Sequence, residues 1–181
     1  MKSTYNDYSW SFLVASPSFY GPFFEESVVL LLEDNEDGSF GIVVNKPLGK
    51  TLGELSNAFN NELSEIEVFE GGPVSPDHIS LAICCDDGKS DGAFSFGIAP
   101  EKAIEIMKKD PNAKVAAFAG YTGWGPNQLQ TEINEGTWII SEADMDAVIN
   151  LPPPAVWEYI LTKEKPELKE LHPPVNSPEL N

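Results

Sequence analysis

The sequence contains no arginine, and all eleven of its basic residues are lysines. Because 29 acidic residues accompany them, the formal net charge is −18. Arginine supplies the planar donor pair that reads guanine and clamps phosphate, and affinity for nucleic acid comes largely from neutralising phosphates. The composition therefore argues against direct nucleic-acid binding. It is typical of a protein with high solubility and little non-specific association.

Cysteine is nearly absent as well, and the two cysteines, Cys84 and Cys85, are adjacent. Neighbouring residues of a strand point to opposite faces, so these two are badly placed to form a disulfide with each other. Two cysteines also make neither a disulfide framework nor a zinc set. We therefore expect a reduced compartment and two small strand residues, at least one of them in the core. No neighbouring cation or helix start is evident to activate a thiol.

Several further signals are missing. No apolar run approaches the ~20 residues that span a bilayer, and the start of the chain lacks the basic-then-apolar order of a signal peptide, so we expect a cytoplasmic protein. The two histidines, His78 and His172, have no ligand-spaced carboxylate that would make a metal site. Neither a phosphate-binding loop nor a dinucleotide fingerprint occurs. The sequence thus predicts no metal and no cofactor.

The remaining residues have the composition of a globular domain, and 181 residues suit one domain. Hairpins mix with strand–helix alternation, which predicts a mixed sheet flanked by helices. The runs at 27–32 and 40–44 are almost continuously apolar, so we expect both faces of their sheet to be covered. Strands are predicted at 12–15, 27–32, 40–44, 66–70, 78–85, 93–98, 114–119 and 137–140, and helices at 51–59, 100–109 and 126–136, from 141 onward, and at 155–161. The domain would comprise residues 1–162, and residues 163–181 would form a tail, either draped on the domain or loose.

Four strand ends consist of small, rigid residues, and we expect a glycine-rich turn at 120–125. Glycine permits close backbone approach and proline fixes φ, so such segments are ordered at low entropic cost. If the four ends lie together, they form the preformed rim of a small-molecule pocket. The candidate pocket residues are Ser16, Pro17, Asn45, Lys46, Gly71, Gly72, Pro73, Gly120, Tyr121, Gly123, Trp124, Gly125 and Gln128.

The chemistry of this candidate pocket would suit a small ligand, and an anion is one of the ligands that it could bind. A helix beginning at Pro126 would offer free N–H groups and a positive dipole end, Gly71 and Gly72 could form a nest, and Lys46 would add a cation. An enzyme is the alternative: a hydrolase or transferase could use Ser16, Asn45 or the glycine amides to stabilise charge. It lacks an evident base, because His78 is only a candidate. A third possibility is a structural interaction module that binds no ligand.

Three segments carry a resemblance to a known family. Residues 12–45 read FLVASPSFYGPFFEESVVLLLEDNEDGSFGIVVN, residues 68–74 read VFEGGPV, and residues 119–133 read AGYTGWGPNQLQTEI. Their order and spacing resemble the YqgE/AlgH family of small bacterial proteins over nearly the whole chain. The stretch with Gly120, Tyr121, Gly123, Trp124, Gly125, Pro126, Gln128 and Leu129 is its most specific part.

The resemblance implies one compact α/β domain of mixed α+β type, with a largely antiparallel, partly barrel-like sheet and flanking helices, in the bacterial cytoplasm. The family is largely uncharacterised, and one branch is named as a transcriptional regulator. No catalytic residue or cofactor carries over. This chain departs from the pattern at Lys46, where an arginine is usual, and around Cys84. We therefore expect a non-enzymatic regulatory protein that binds a ligand or a protein partner and affects transcription, if at all, indirectly.

Overall fold

The structure is a computed structural model that describes residues 6–19, 21–59, 62–85 and 93–167. Within these residues, nine strands form one sheet that five α-helices and one 3-10 turn accompany. The strands are β1 (Ser11–Ala15), β2 (Val28–Asn35), β3 (Gly38–Val43), β4 (Pro47–Thr51), β5 (Glu67–Glu70), β6 (Val74–Cys85), β7 (Ala93–Phe96), β8 (Lys114–Trp124) and β9 (Trp138–Glu142). The helices are α1 (Leu52–Leu55), α2 (Pro100–Lys109), α3 (Gln128–Asn134), α4 (Met145–Asn150) and α5 (Pro153–Glu164), with the 3-10 turn at Asn57–Phe59.

The strands follow the order β4-β5-β8-β3-β2-β1-β9, with β6 joined to β8 and β7 joined to β6. The β5–β8 pair is parallel, and the other pairs are antiparallel. This confirms the expected single domain with a mixed, largely antiparallel sheet. The predicted hairpin is β2–β3, whose register aligns Val29 with Val43. Within the described residues, the outer strands along the main path are β4 and β9.

Strand β8 changes its neighbour halfway along. Residues up to Ala119 pair with β5, and Thr122 to Trp124 pair with β3. Gly120 lies between the two stretches. Its φ is +70°, a backbone conformation that residues other than glycine rarely adopt. The predicted turn at 120–125 is therefore wrong for residues 120–124, which continue the strand. Pairing with β3 supplies the hydrogen bonds that a free turn would lack.

The core lies on both faces of the sheet, which confirms the expected double coverage of β2 and β3. On one face Phe12 and Val14 pack with α5, where Trp157 donates a 2.8 Å hydrogen bond from Nε1 to the carbonyl of Ala15. On the other face Leu13 packs with residues of α3, β8 and β9. A third cluster joins α1 and α2 to β5, β6 and β8. Cys84 and Cys85 are both only half-buried, so the expectation that one lies in the core is wrong.

The observed helix boundaries agree best with the predicted ones where the sequence has strong local start and stop signals. Helix α2 has the predicted bounds, with Pro100 in its first turn. The helix predicted at 51–59 is a single α turn and a 3-10 turn, because the chain leaves helical geometry at Ser56. The helix predicted from 141 starts later, at α4, because Ser141 still belongs to β9. Helix α5 spans Pro153–Glu164 and so exceeds the predicted helix at 155–161 at both ends. Residues 168–181, most of the predicted tail, lie outside the described residues.

Candidate functional site

Three of the four strand ends meet at one junction in the sheet. The Gly71 amide donates to the Ala119 carbonyl at 2.8 Å, and the Val43 amide donates to the Gly71 carbonyl at 2.8 Å. Gly71 thus bridges β3 and β8 where β8 changes its neighbour. The Lys46 carbonyl accepts from the Glu70 amide at 2.8 Å, which brings the end of β3 to the same place.

The glycines of this junction are needed because main chain meets main chain. A Cβ on Gly72 would overlap the carbonyl group of Tyr121, and a Cβ on Gly120 would overlap the Gly72 carbonyl oxygen. A Cβ on Gly71 would likewise overlap the Gly120 oxygen. Glycine is the residue that allows such an approach. Packed backbone therefore fills the space between these three glycines, and Pro73 follows them at the surface.

The Asn45 side chain is buried and fully engaged. Its Oδ1 accepts from the Val28 amide at 2.8 Å, and its Nδ2 donates to the Glu26 carbonyl at 2.9 Å. Both polar ends of the amide hold the loop that leads into β2. This arrangement gives Asn45 a structural task, because both of its polar atoms bond to backbone groups.

Lys46 also points at this loop. Its Nζ donates to the Phe23 carbonyl and lies 5.7 Å from the centroid of the Phe23 ring. Burial lowers the pKa of Lys46, and the charges of Glu70, Glu25 and Glu26 partly oppose that shift. The ammonium group is thus partly desolvated and holds the loop through the Phe23 carbonyl.

Trp124, Gly125 and Gln128 lie elsewhere. Trp124 pairs with Ser39 near the start of β3, whereas the glycine junction lies at the end of β3, roughly four residues or ~13 Å away along the strand. Gln128 Oε1 accepts from the Gly125 amide at 3.0 Å. The structure therefore places this segment towards the other end of β3 from Gly71 and Asn45, with Gly123 paired to Phe40 between them.

The predicted anion site before α3 also changes. The helix starts at Gln128, not at Pro126, and has seven residues. Its N-cap, Asn127, adopts a left-handed conformation with φ 59°. Two turns of helix give a weak dipole, and the amide of Gly125 is already bonded to Gln128. The arrangement offers little to an anion.

The fourth strand end borders a groove that sequence reasoning missed. Ser16 donates from its amide to the Thr137 carbonyl at 3.0 Å, and its Oγ shares a 2.9 Å hydrogen bond with the Ser18 hydroxyl. Pro17 follows, partly exposed. The groove has a volume of about 580 Å³. It is lined by Ser16, Ile133, Gly136, Trp138, Ile139, Ile140, Glu164, Lys165 and Glu167.

The floor of this groove is the outer edge of β9. Strand β9 pairs with β1 on its inner side, and no strand of the described residues pairs with its outer side. The end of α3 forms one wall through Ile133 and Gly136, and the end of α5 forms the other through Glu164 and the residues after it. The sequence predicted the strand at 137–140, but it carries no sign of which strand stands at the edge.

The remaining candidates for chemistry are scattered. His78 and Asp77 are both exposed on β6. In the part of the chain that the structure describes, no three His, Cys, Asp or Glu side chains are grouped closely enough to hold a metal ion. None of the described helices is long and apolar enough to cross a membrane. His172 lies outside the described residues.

Comparison with known proteins gives one consistent result. A family model described as AlgH-like matches residues 12–169. The chain is 32% identical over 179 residues to a UPF0301 protein of Streptomyces avermitilis, with 93% of each chain covered. It is 35% identical over 158 residues to a UPF0301 protein of Myxococcus xanthus, which covers 82% of this chain and 86% of that one.

Solved structures show the same fold. The solution structure of the AlgH protein from Pseudomonas aeruginosa is similar with a TM-score of 0.71 and 24% identity, covering 99% of this chain and 100% of that one. The crystal structure of a protein from Corynebacterium diphtheriae is similar with a TM-score of 0.64 and 20% identity, covering 90% of both. At these identities the likeness concerns the fold alone.

Proposed function

The chain belongs to the AlgH-like family, and we propose that it is a non-enzymatic regulatory protein that binds a protein partner in the groove beside β9. The observation that carries this proposal is the groove itself. It joins an unpaired strand edge to two helix ends and includes Ser16, one of the residues singled out in the sequence.

The state of the candidate catalytic groups supports binding over catalysis. Both polar ends of Asn45 hold backbone groups, and the Lys46 ammonium is bound to the Phe23 carbonyl. Gly71 uses both its amide and its carbonyl within the sheet. A hydrolase or transferase at this place would need a donor or a base that is free to meet its substrate.

The composition favours a protein as the immediate partner. A chain with a net charge of −18 and no arginine repels a polyanion. An effect on transcription would therefore pass through a DNA-binding protein that this chain holds or releases. Open strand edges are also ready templates for pairing with another chain.

A photo-crosslinking experiment tests this function. We would place a photoreactive amino acid at Ser16 or Glu167 in the groove and, as a matched control, at Lys102 on the exposed face of α2. In cells of the source bacterium, the groove positions should capture one discrete protein that the α2 position does not capture. Equal capture at both places, or none in the groove, would contradict the proposal.

A small molecule is the competing occupant, since pockets of ~300–1,000 Å³ suit such ligands. A thermal-shift screen against metabolites separates the two cases. A specific ligand at 100 times its dissociation constant would add about 2.7 kcal/mol of stability. We expect no such hit that a groove substitution abolishes.

A further inference from the structure

The hydrogen bonds of β1 determine which backbone groups β9 presents at its outer edge. The Ser16 amide donates to the Thr137 carbonyl, whereas the Ala15 amide donates to the Ser27 carbonyl on the other side of β1. Backbone groups alternate sides along an antiparallel strand, so Val14 faces β9 and forms a hydrogen-bonded pair with Ile139. The residues on either side of Ile139, Trp138 and Ile140, therefore point their N–H and C=O groups away from β1, towards the groove.

These outward groups have no described partner. Among residues 6–19, 21–59, 62–85 and 93–167, no hydrogen bond to the amide or carbonyl of Trp138 or Ile140 is found on that side. Glu142 would be the next outward residue, and its carbonyl accepts from the Ser141 hydroxyl at 3.2 Å. Two donors and two acceptors are thus spaced along the groove as on one edge of a sheet.

The opposite edge of the sheet is protected in a way that β9 is not. Strand β4 has Pro47 at its start, Gly49 with φ +69° and Lys50, and its register shifts between Pro47 and Lys50. Proline, charge and irregular register are the usual means by which proteins prevent an edge from pairing. Strand β9 begins Trp-Ile-Ile and has its first charge at Glu142. Strand β4 is therefore protected against pairing with another chain, and β9 lacks these protections.

The walls of the groove differ in character. Trp138 and Ile140 share a cluster with Ile133, so the face toward α3 is apolar. On the other face Ser141 donates to Glu164 at 2.8 Å, and Glu167 and Lys165 follow at the end of α5. An added strand would place alternate side chains against an apolar wall and against a wall with two carboxylates and one ammonium.

We propose that β9 receives an extended segment of the partner protein as an additional strand, an inference that rests on the proposed function. In this segment apolar and basic residues alternate. The apolar residues would face Ile133, and the lysines or arginines would face Glu164 and Glu167. A second copy of this chain is a poor occupant, because each copy carries −18 and the two would repel. A basic partner is attracted by the same charge.

Binding of a model peptide to the full chain tests this inference. The probe is a fluorescent Lys-Val-Lys-Val-Lys-Val peptide, measured by anisotropy, with Glu-Val-Glu-Val-Glu-Val as its control. Ile140→Pro removes an outward N–H while leaving the bonds to β1, and Ile140→Ala removes the side chain but keeps that N–H. We expect the proline variant to weaken binding about fivefold or more, since the loss of one hydrogen bond of about 1 kcal/mol corresponds to about a fivefold change in the dissociation constant. The alanine variant should stay within about threefold of the original chain.

Several outcomes would overturn the proposal. The acidic peptide could bind as tightly as the basic one, or the basic peptide could bind the Ile140→Pro variant as tightly as the original chain. The third such outcome is a dimer of the free chain that Ile140→Pro dissociates. If Ile140→Pro fails to fold, a peptide N-methylated at alternate residues replaces it, and unweakened binding of that peptide counts equally against strand addition. Crosslinking at Ser16 that survives Ile140→Pro would refute strand addition while leaving the proposed partner-binding function standing.

Discussion

Trp138 donates a 2.8 Å hydrogen bond from its indole Nε1 to Oε2 of Glu132. Trp124 donates to the same oxygen, also at 2.8 Å, and the two indole rings meet edge to face with centroids 6.0 Å apart. One carboxylate of α3 thus holds the ends of β8 and β9 together. Since α3 also forms a wall of the groove, this contact holds that wall against β8 and β9.

Removing that carboxylate should destabilise the fold. Glu132→Ala leaves two indole N–H groups without their acceptor, and each such loss costs about 1–3 kcal/mol when the group is buried. Because Glu132 is partly exposed, we expect the free energy of unfolding to fall by about 2 kcal/mol. Urea denaturation followed by tryptophan fluorescence measures it. Glu135→Ala, exposed at the end of the same helix, is the control and should change stability by less than about 0.5 kcal/mol; equal effects would contradict this role.

The glycine junction makes a second prediction. Gly72→Ala forces a Cβ into the Tyr121 carbonyl group, so we expect a loss of about 3 kcal/mol or failure to fold. Gly125→Ala meets nothing closer than Gln128 Oε1 at 3.9 Å and should be tolerated. Thermal unfolding of the two variants compares them. If the Gly72→Ala chain is as stable as the Gly125→Ala chain, the backbone at Gly72 does not lie against that of Tyr121.

Asn45 should behave as a structural residue. Asn45→Ala leaves the buried Val28 amide and the Glu26 carbonyl without partners, and we expect a loss of about 2 kcal/mol in stability. Asn112→Ala, at an exposed turn, is the control and should be near neutral. Chemical denaturation measures both. Unchanged stability of Asn45→Ala would return this residue to the list of candidate ligand contacts.

The exposed triad of Lys102, Glu105 and Lys109 predicts a pH effect. Hydrogen bonds from Lys109 and then Lys102 lower the pKa of Glu105 from 4.5 to about 2. Because the folded-state pKa is depressed, the stabilisation is present above the unfolded pKa and is lost as the pH falls from 4.5 towards 2. NMR titration of the Glu105 carboxyl carbon should give the low midpoint, and Lys109→Met should raise it. A midpoint near 4.5 in the unaltered chain would contradict the contact.

The sequence could predict those elements whose signals are local. Pro100 and the terminal lysines of α2 mark both ends of that helix, and the polar loop between β2 and β3 marks a hairpin. The sequence also indicates that the glycines at 71, 72 and 120 end strands in rigid segments. The close backbone contacts that require these glycines involve a distant part of the chain, so the sequence alone predicts a pocket rim and does not show these contacts.

The groove was beyond prediction for a similar reason. The run at 138–140 is apolar enough to be a central strand, and nothing local marks it as an edge. Its position depends on pairing with β1, far away in the sequence, and on where α3 and α5 end. Its place at a strand end makes Ser16 a candidate in the sequence, and only the tertiary fold brings it to Thr137.

The most direct test of the account is residue-resolved amide hydrogen exchange on the full chain at low concentration. The Ile139 amide is bonded to β1, whereas the backbone amides of Trp138 and Ile140 point away from β1. These two amides should therefore exchange much faster than that of Ile139. Adding the basic alternating peptide should slow these two amides and leave Ile139 unchanged. If Trp138 and Ile140 are as protected as Ile139 in the free chain, the edge is already occupied, and the proposed partner site does not exist.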